Sequence, residues 1–127
     1  MIVVDASAAL SAILNAGPAR EALGAERLHA PHLIDSEVAS GLRRCVAAAQ
    51  LSAAAGWLAL DTWRRLGMTR YPAYAMLDRV WELRDNLSSC DATYVALAES
   101  LDCSLLTTDN RLGRAPGVRC PILLVPH

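Results

Sequence analysis

Residues 88–109 read SSCDATYVALAESLDCSLLTTD and predict a helix that leads directly into a strand. Ser88 stands three residues before Asp91, which is the spacing of a capping box at the start of a helix. Residues 103–107 read as a short buried strand, and Asp109 follows its end. The stretch therefore predicts a helix–strand unit with one acid in the first helical turn and another just after the strand.

The rest of the chain repeats this alternation of strands and helices. Residues 2–5 are β-branched and end in the carboxylate of Asp5, which predicts another buried strand. Further strands are predicted at 27–30, 68–71 and 118–125, and helices at 5–15, 19–24, 33–50, 52–66 and 74–84. This pattern predicts a single domain over residues 1–127, with a three-layer α/β/α fold and a mostly parallel central sheet of four to five strands.

Composition excludes several kinds of active site. The 127 residues include 13 acidic and 12 basic residues, and every basic residue is arginine. Without lysine there is no Walker-type phosphate lysine, no Schiff-base lysine and no ATP-binding lysine of the kinase type. The net charge of -1 argues against a histone-like nucleic-acid binder, but it is compatible with an acidic metal site beside basic helices.

Charge is distributed unevenly along the chain. Residues 1–37 contain five acids and two arginines, and residues 85–109 contain five acids and no arginine. Residues 38–84 contain seven arginines and three acids, and residues 110–127 contain three arginines and no acid. The basic segments, including Arg43–Arg44 and Arg64–Arg65, could therefore contact phosphates while the acidic segments hold a cation.

Neither export nor membrane insertion is expected. The N-terminus has no basic region, and Asp5 interrupts its apolar run. Residues 45–60 are too short and too polar to span a bilayer. The four cysteines form no C-x-x-C pair, so we expect reduced, buried thiols in a cytoplasmic protein and no zinc site.

Four carboxylates are placed where they could meet at one edge of the sheet. Asp5 and Asp109 each end a predicted strand, and the other two acids, Glu37 and Asp91, lie early in predicted helices. If the first strand and strand 103–107 are neighbours, all four would lie beyond the carboxyl ends of the strands, where ligands bind in open α/β sheets. Such a cluster repels itself unless a cation is present, and Mg²⁺ prefers oxygen ligands. The chemistry indicated is phosphodiester hydrolysis.

Each acid also has a structural interpretation when it is considered alone. Asp5 could cap a helix, Glu37 and Asp91 could be acids of a first helical turn, and Asp109 could belong to a turn. Their joint placement on one side of a parallel sheet is harder to explain by capping, so we favour the metal site.

Other conspicuous residues are given structural roles. We expect Asp35 to be a helix-start acid and Asp102 a solvated turn residue. His29 and His32 flank a proline and are not expected to bind a metal, because hard cations prefer oxygen ligands. Three tryptophans at helical positions favour core or interface packing, with stacking on an RNA base as the alternative: Trp57, Trp63 and Trp81.

Three segments together resemble a known family. These are residues 2–8 (IVVDASA), residues 35–44 (DSEVASGLRR), and the run from 89 to 99 followed by residues 105–112 (LLTTDNRL). They are similar to the VapC-type toxins of bacterial and archaeal toxin–antitoxin pairs, which are PIN-domain nucleases, and the likeness spans essentially the whole chain. The departures are Cys90, where an aromatic residue is common, and Asn110.

The resemblance implies a PIN fold and a metal-dependent endoribonuclease, the toxin of a type II pair, that cleaves structured RNA such as tRNA or rRNA. The acids that would hold Mg²⁺ or Mn²⁺ are Asp5, Glu37, Asp91 and Asp109. Among them, Asp5 and Asp91 would be the most direct ligands, while Ser7 and Thr107 would orient acids or water. The family implies a homodimer and a VapB-like antitoxin that places an arginine among the acids.

Three alternatives stay open from the sequence. A PIN nuclease with another role, such as RNA maturation or DNA repair, would share the same acids. A receiver-like domain with a phosphorylated aspartate would need a lysine beside its acids, and this chain has none. A catalytically silent binding module is disfavoured by the complete set of four acids.

Overall fold

The computed structural model describes residues 1–127 and contains one sheet of five parallel strands. The strands are β1 (Ile2–Val4), β2 (Leu28–Pro31), β3 (Thr69–Tyr71), β4 (Ser104–Thr107) and β5 (Ile122–Leu124). Their order across the sheet is β3-β2-β1-β4-β5. The predicted fold class is confirmed, since the sheet has five strands and all of them are parallel.

Six α-helices surround the sheet. They are α1 (Ala6–Leu14), α2 (Pro18–Ala25), α3 (Leu33–Ala47), α4 (Ala53–Arg65), α5 (Leu77–Glu82) and α6 (Ser89–Ser100). Short 3₁₀ turns lie at Tyr74–Met76 and Leu112–Arg114. Helix α1 packs against α2, α3 and α4, whereas α6 packs against α5 and contacts β1, β2 and β4. These two helical groups complete a three-layer α/β/α fold.

The strand order creates a single switch point in the sheet. Val3 of β1 lies opposite His29 on one side and Leu105 on the other, so β1 is bracketed by β2 and β4. The chain runs outward from β1 to β3 on one side and from β4 to β5 on the other. The direction of progression therefore reverses between β1 and β4, and a ligand site is expected beyond their carboxyl ends.

The best-buried elements are those that lead to this switch point. All three residues of β1 are buried, and so are the seven consecutive residues 92–98 of α6. Helix α1 approaches α3 closely at Gly41, where a Cβ atom would contact the side chain of Leu10. Because close-packed interiors leave little freedom to move, the backbone on either side of the switch point is fixed.

Three predicted elements differ in length from those observed. The helix predicted at 33–50 ends at Ala47, because Ala49 adopts a left-handed backbone with φ of 58°. The helix predicted at 74–84 is divided into a 3₁₀ turn and the short α5. The final strand is shorter than predicted, since Gly117 turns the chain with φ of 85° and Pro121 has no N–H for the ladder.

The structure corrects the prediction that the cysteines are buried, and it places the three tryptophans in different environments. All four thiols are free, but only Cys120 is buried, while Cys45 and Cys103 are partly exposed and Cys90 is exposed. Trp63 is buried in the core, whereas Trp57 and Trp81 are exposed, which excludes core packing for these two and leaves interface packing or stacking on RNA. None of the helices combines the length and the apolar character that a membrane span requires.

Candidate acidic active site

One open cleft beyond the carboxyl ends of β1 and β4 brings the four predicted acids together. It has a volume of about 400 Å³, and its walls include Asp5, Glu37, Asp91 and Asp109. Asp5 follows β1 directly and Asp109 lies two residues after β4, while Glu37 and Asp91 lie in the early turns of α3 and α6. The predicted convergence is observed because β1 and β4 are neighbours.

Asp5 is held in one orientation by three donors. Asp5 is buried, with only 5% of its surface exposed. Its Oδ1 accepts from Ser7 Oγ at 2.6 Å and from the backbone N–H of Ala8 at 2.9 Å, and its Oδ2 accepts from Thr107 Oγ1 at 2.5 Å. Burial raises the pKa of Asp5, and the nearby charge of Asp91 adds to this, while the three hydrogen bonds oppose it. Asp5 therefore caps α1 and also faces the cleft.

Ser7 and Thr107 join the ends of the two central strands. Ser7 Oγ accepts from the backbone N–H of Thr108 at 3.0 Å, and Thr107 Oγ1 accepts from the backbone N–H of Asp109 at 3.0 Å. The two hydroxyl oxygens are 3.3 Å apart. Ser7 lines the cleft and Thr107 is buried behind it, and together they connect Asp5 to the backbone that carries Asp109.

Glu37 is held by Tyr94, which was not among the candidate site residues predicted from the sequence. Tyr94 is 2% exposed, and its hydroxyl donates to Glu37 Oε1 at 2.6 Å. Burial and the charges of Asp91 and Asp5 raise the pKa of Glu37, whereas the hydrogen bond from Tyr94 lowers it. Tyr94 stands three residues after Asp91 and therefore on the same face of the helix, a spacing that could have identified it.

Asp91 and Asp109 have contrasting surroundings. The backbone N–H of Asp91 donates to Ser88 Oγ at 3.2 Å, so the predicted cap is present, but the Asp91 carboxylate has no hydrogen-bond donor. The Asp109 carboxylate accepts from Arg111, through Nη2 at 2.8 Å and through the backbone N–H at 2.9 Å. Arg111 lowers the pKa of Asp109, and sequence reasoning did not single it out. Asp109 therefore also stabilises a turn, which is the structural role considered for it from the sequence.

Arg44 and Ser40 also line the cleft and were missed as part of it. Ser40 lies three residues and Arg44 seven residues beyond Glu37, so both are on the face of α3 that carries it. Arg44 forms no salt bridge and is exposed at the rim. The neighbouring Arg43 instead lines an apolar groove between α3 and α4, so only one arginine of this pair faces the acids.

The donor set of the cleft is compatible with a hard divalent cation. Its acids offer only carboxylate oxygens, and no arginine is ion-paired with Asp5, Glu37 or Asp91. Nowhere in the chain do three side chains of His, Cys, Asp or Glu lie close enough together to enclose an ion. A Mg²⁺ ion at this site would therefore be held by one or two carboxylates and would keep several waters.

Comparisons with known proteins identify the family. A model described as the PIN domain matches residues 2–118. The chain is 60% identical over 127 residues to ribonuclease VapC9 of Mycobacterium tuberculosis, covering 100% of both chains. It is 42% identical over 128 residues to ribonuclease VapC1 of the same organism, covering 97% of this chain and 96% of the relative. This chain belongs to the VapC family of PIN-domain ribonucleases.

Two solved structures share the VapC fold seen here. PAE2754 from Pyrobaculum aerophilum aligns with a TM-score of 0.72 at 24% identity, covering 95% of this chain and 81% of that chain. A second structure, described as VapBC2 from Rickettsia felis bound to a DNA fragment from their promoter, aligns with a TM-score of 0.67 at 14% identity. That alignment covers 97% of this chain and 99% of the other. At these identities the likeness concerns the fold.

The remaining residues considered from the sequence lie outside the cleft of this VapC chain. Asp35 accepts from Trp63 Nε1 at 2.9 Å and from Arg70 Nε at 2.7 Å, so it ties α3 to α4 and β3. Asp102 ends α6 with a left-handed φ of 52°. His29 Nδ1 lies 2.7 Å from the Tyr71 hydroxyl on the neighbouring strand. These contacts support the structural interpretations of Asp35, Asp102 and His29.

The predicted phosphate role of the second arginine pair is weakened by its ion pairs. Arg64 Nε lies 2.6 Å from Asp61 Oδ1, and Arg65 Nη2 lies 3.1 Å from Asp61 Oδ2. Neither residue lines the acidic cleft. In this VapC chain, Arg44 is therefore the member of the two arginine pairs that flanks the acids.

Proposed function

We propose that the acidic cleft hydrolyses phosphodiester bonds in structured RNA, of the tRNA or rRNA type, with Mg²⁺ or Mn²⁺ bound. One observation carries this proposal: Asp5, Glu37 and Asp91 line a single open cleft, and none of the three carboxylates forms a salt bridge. Carboxylates packed in this way repel one another, so a bound cation would relieve the repulsion. The membership in the VapC ribonucleases supports the same reaction.

The four acids divide into fixed and adjustable ligands. Asp5 and Asp91 would be the most direct ligands, with Glu37 and Asp109 completing the set. A bound divalent cation would lower the pKa of a water molecule and stabilise the charge that develops on the phosphate. Asp5 keeps one orientation because three donors hold it, whereas the Asp91 carboxylate is free to turn toward a ligand.

We further propose that the chain acts as the toxin of a type II pair and is inhibited by a VapB-like antitoxin. The full-length identity of 60% to VapC9 supports this role over RNA maturation or DNA repair. An arginine supplied by such a partner would fit the cleft, because its guanidinium matches carboxylate geometry in two-point hydrogen bonds. Titration of the chain with the product of an adjacent small reading frame would test inhibition directly.

A homodimer in the cytoplasm completes the proposal. The exposed side chains of Tyr74, Leu77 and Trp81 follow one another at helical spacing, and exposed apolar patches often mark association surfaces. Sedimentation analysis of the purified chain tests the dimer. A monomer at micromolar concentration would contradict it without affecting the proposed reaction.

The decisive experiment compares two aspartate substitutions under controlled metal conditions. The purified chain should cleave bulk tRNA in Mg²⁺ or Mn²⁺ and lose this activity in EDTA. Asp91→Asn should abolish cleavage, and Asp78→Asn should not, because Asp78 is exposed on α5 away from the cleft. Circular dichroism would show that both variants fold. Metal-dependent cleavage retained by Asp91→Asn would overturn the proposal, and a folded chain that binds no metal would favour a silent binding module.

A further inference from the structure

A second cleft opens directly beside the acidic one. It also has a volume of about 400 Å³, and it shares two walls, Asp91 and Asp109, with the acidic cleft. Its other polar walls are Asn86, Ser88, Arg111 and Arg114. A polymer bound at the acids would therefore continue into a cleft that carries two guanidinium groups.

The two arginines face the same way because of the 3₁₀ turn Leu112–Arg114. In a 3₁₀ helix, side chains three residues apart are eclipsed, and Arg111 and Arg114 have this spacing. The backbone N–H of Arg114 donates to the carbonyl of Arg111 at 3.1 Å, which closes the turn. Leu112, only 1% exposed, anchors the turn to the core. The positions of both arginine Cα atoms are thus fixed by backbone structure.

Both guanidinium groups retain hydrogen-bonding capacity. Arg111 is paired only with Asp109, through Nε and Nη2, and its Nη1 makes no hydrogen bond within the protein. Its side chain is 86% exposed. Arg114 is exposed and takes part in no salt bridge. Residues 110–127 contain three arginines and no acid, so no carboxylate of its own segment pairs with Arg114.

The carboxylates of Asp91 and Asp109, which the two clefts share, would repel a phosphate unless their charges are offset. Asp91 and Asp109 both border the second cleft, and a phosphate beside two free carboxylates would be disfavoured. Arg111 neutralises Asp109 through its ion pair, and the charge of Arg114 offsets that of Asp91, so the second cleft carries no net charge while Arg114 stays unpaired. Arg44 lies across the acidic cleft on α3, so arginines border the acids on two sides.

We infer that Arg111 and Arg114 form a subsite for an RNA backbone phosphate next to the one that is cleaved, with Arg114 as the principal contact. The inference rests on the proposed function, because it assigns the path of the same substrate. Arginine suits this role since its planar guanidinium binds phosphate oxygens in pairs. Contacts of this kind position a nucleic acid without reading its sequence.

The test measures the salt dependence of RNA binding without cleavage. Binding of bulk tRNA is followed in EDTA over a series of salt concentrations, and gels show that the RNA stays intact. Loss of one phosphate contact should reduce the slope of log affinity against log salt by about 0.7 to 0.9. Arg114→Gln should show this reduction and weaker binding, and Arg114→Lys should recover most of the slope.

Arg27→Gln is the matched control. Arg27 is exposed, forms no salt bridge, and precedes β2 at the opposite edge of the sheet. The charge change is identical, so any effect of net charge alone appears in both variants. With Mg²⁺ present, Arg114→Gln should raise KM more than it lowers kcat.

The outcomes separate the two proposals. If the wild-type chain cleaves RNA but Arg114→Gln and Arg27→Gln show the same slope of log affinity against log salt, the subsite is overturned. The proposed function stands in that case. If the wild-type chain neither binds nor cleaves RNA, both are overturned. A reduced slope for Arg114→Gln alone, together with normal folding, supports the subsite.

Discussion

Thr107 and Asp5 lie 102 residues apart in the chain, and a hydrogen bond of 2.5 Å joins their side chains. The bond links the carboxyl ends of β1 and β4 at the bottom of the acidic cleft. Thr107 is completely buried, and its oxygen also accepts from the backbone N–H of Asp109. One hydroxyl therefore positions two of the four acids.

Replacing this hydroxyl should affect both stability and cleavage. Thr107→Val keeps the shape of the side chain but leaves Asp5 without one donor and the Asp109 N–H without its acceptor. We expect a loss of about 1–3 kcal/mol in the free energy of unfolding, measured with urea, and a larger relative loss of cleavage. Thr107→Ser should restore both. The control is Thr108→Val, because the hydroxyl of Thr108 is not hydrogen-bonded; an equal stability loss there would contradict the assignment.

Removing the hydroxyl of Tyr94 should lower kcat more than it raises KM. In Tyr94→Phe the Glu37 carboxylate loses a hydrogen bond of 2.6 Å, so it would adopt several orientations in the cleft. A loss of about 1.4 kcal/mol in transition-state stabilisation corresponds to a tenfold lower kcat. Calorimetric titration with Mn²⁺ should also show weaker binding. Tyr74→Phe, at an exposed tyrosine, is the control, and equal kinetics of the two variants would refute a positioning role for Tyr94.

Glu99 should make stability depend on pH in the acidic range. Burial would raise the pKa of Glu99, but hydrogen bonds from Arg79 and from the backbone N–H of Arg119 lower it below its ordinary value. A carboxylate with a lowered pKa stabilises the fold fully above the pKa of the unfolded chain, and this contribution is lost as the pH falls through the folded value. Glu99→Gln should therefore cost about 1 kcal/mol at pH 7 and progressively less in acid.

Urea unfolding at several pH values measures this difference. Glu21→Gln is the control, because Glu21 is an exposed acid of α2 without a salt bridge. A stability difference between wild type and Glu99→Gln that stays constant down to strongly acidic pH would rule out the stabilisation assigned to the Glu99 carboxylate.

Gly41 and Gly24 should respond in opposite directions to alanine. At Gly41 the added Cβ would meet the side chain of Leu10, which also lines the acidic cleft. We expect Gly41→Ala to destabilise the fold by about 1–3 kcal/mol and to reduce cleavage as Leu10 is displaced. At Gly24 nothing lies within 4 Å of the added atom, so Gly24→Ala should stabilise α2 by about 0.5–1 kcal/mol. Thermal unfolding distinguishes the two, and similar shifts would contradict this packing.

Much of the scaffold could be predicted from local pattern. The β-branched run of β1 and the Ser88 cap of α6 are signals carried by adjacent residues, and both elements are observed. The four acids converge only if β1 and β4 are neighbours. The local sequence pattern does not determine which strands pair, and the structure shows that these two do. The start of the last strand was misplaced, because the apolar residues begin before Pro121, which has no N–H to donate to the sheet.

The details of the cleft were harder to obtain because they depend on contacts between distant segments. Tyr94 reaches Glu37 only because α6 and α3 start at the same edge of the sheet, a relationship that no short window contains. The pairing of Arg111 with Asp109 depends on the tight turn between them, which the sequence marks only as a turn. The opposed exposures of Trp63 and Trp57 depend likewise on how α4 is rotated against α3.

The central position of β1 has a consequence during synthesis. A ribosome makes β4 about one hundred residues after its partner β1. Until β4 has emerged, Asp5 lacks the Thr107 hydroxyl, and Asp109 has not yet been added. A chain that has been made only as far as β4 therefore carries no assembled cleft, and the site can form only after Asp109 has been added.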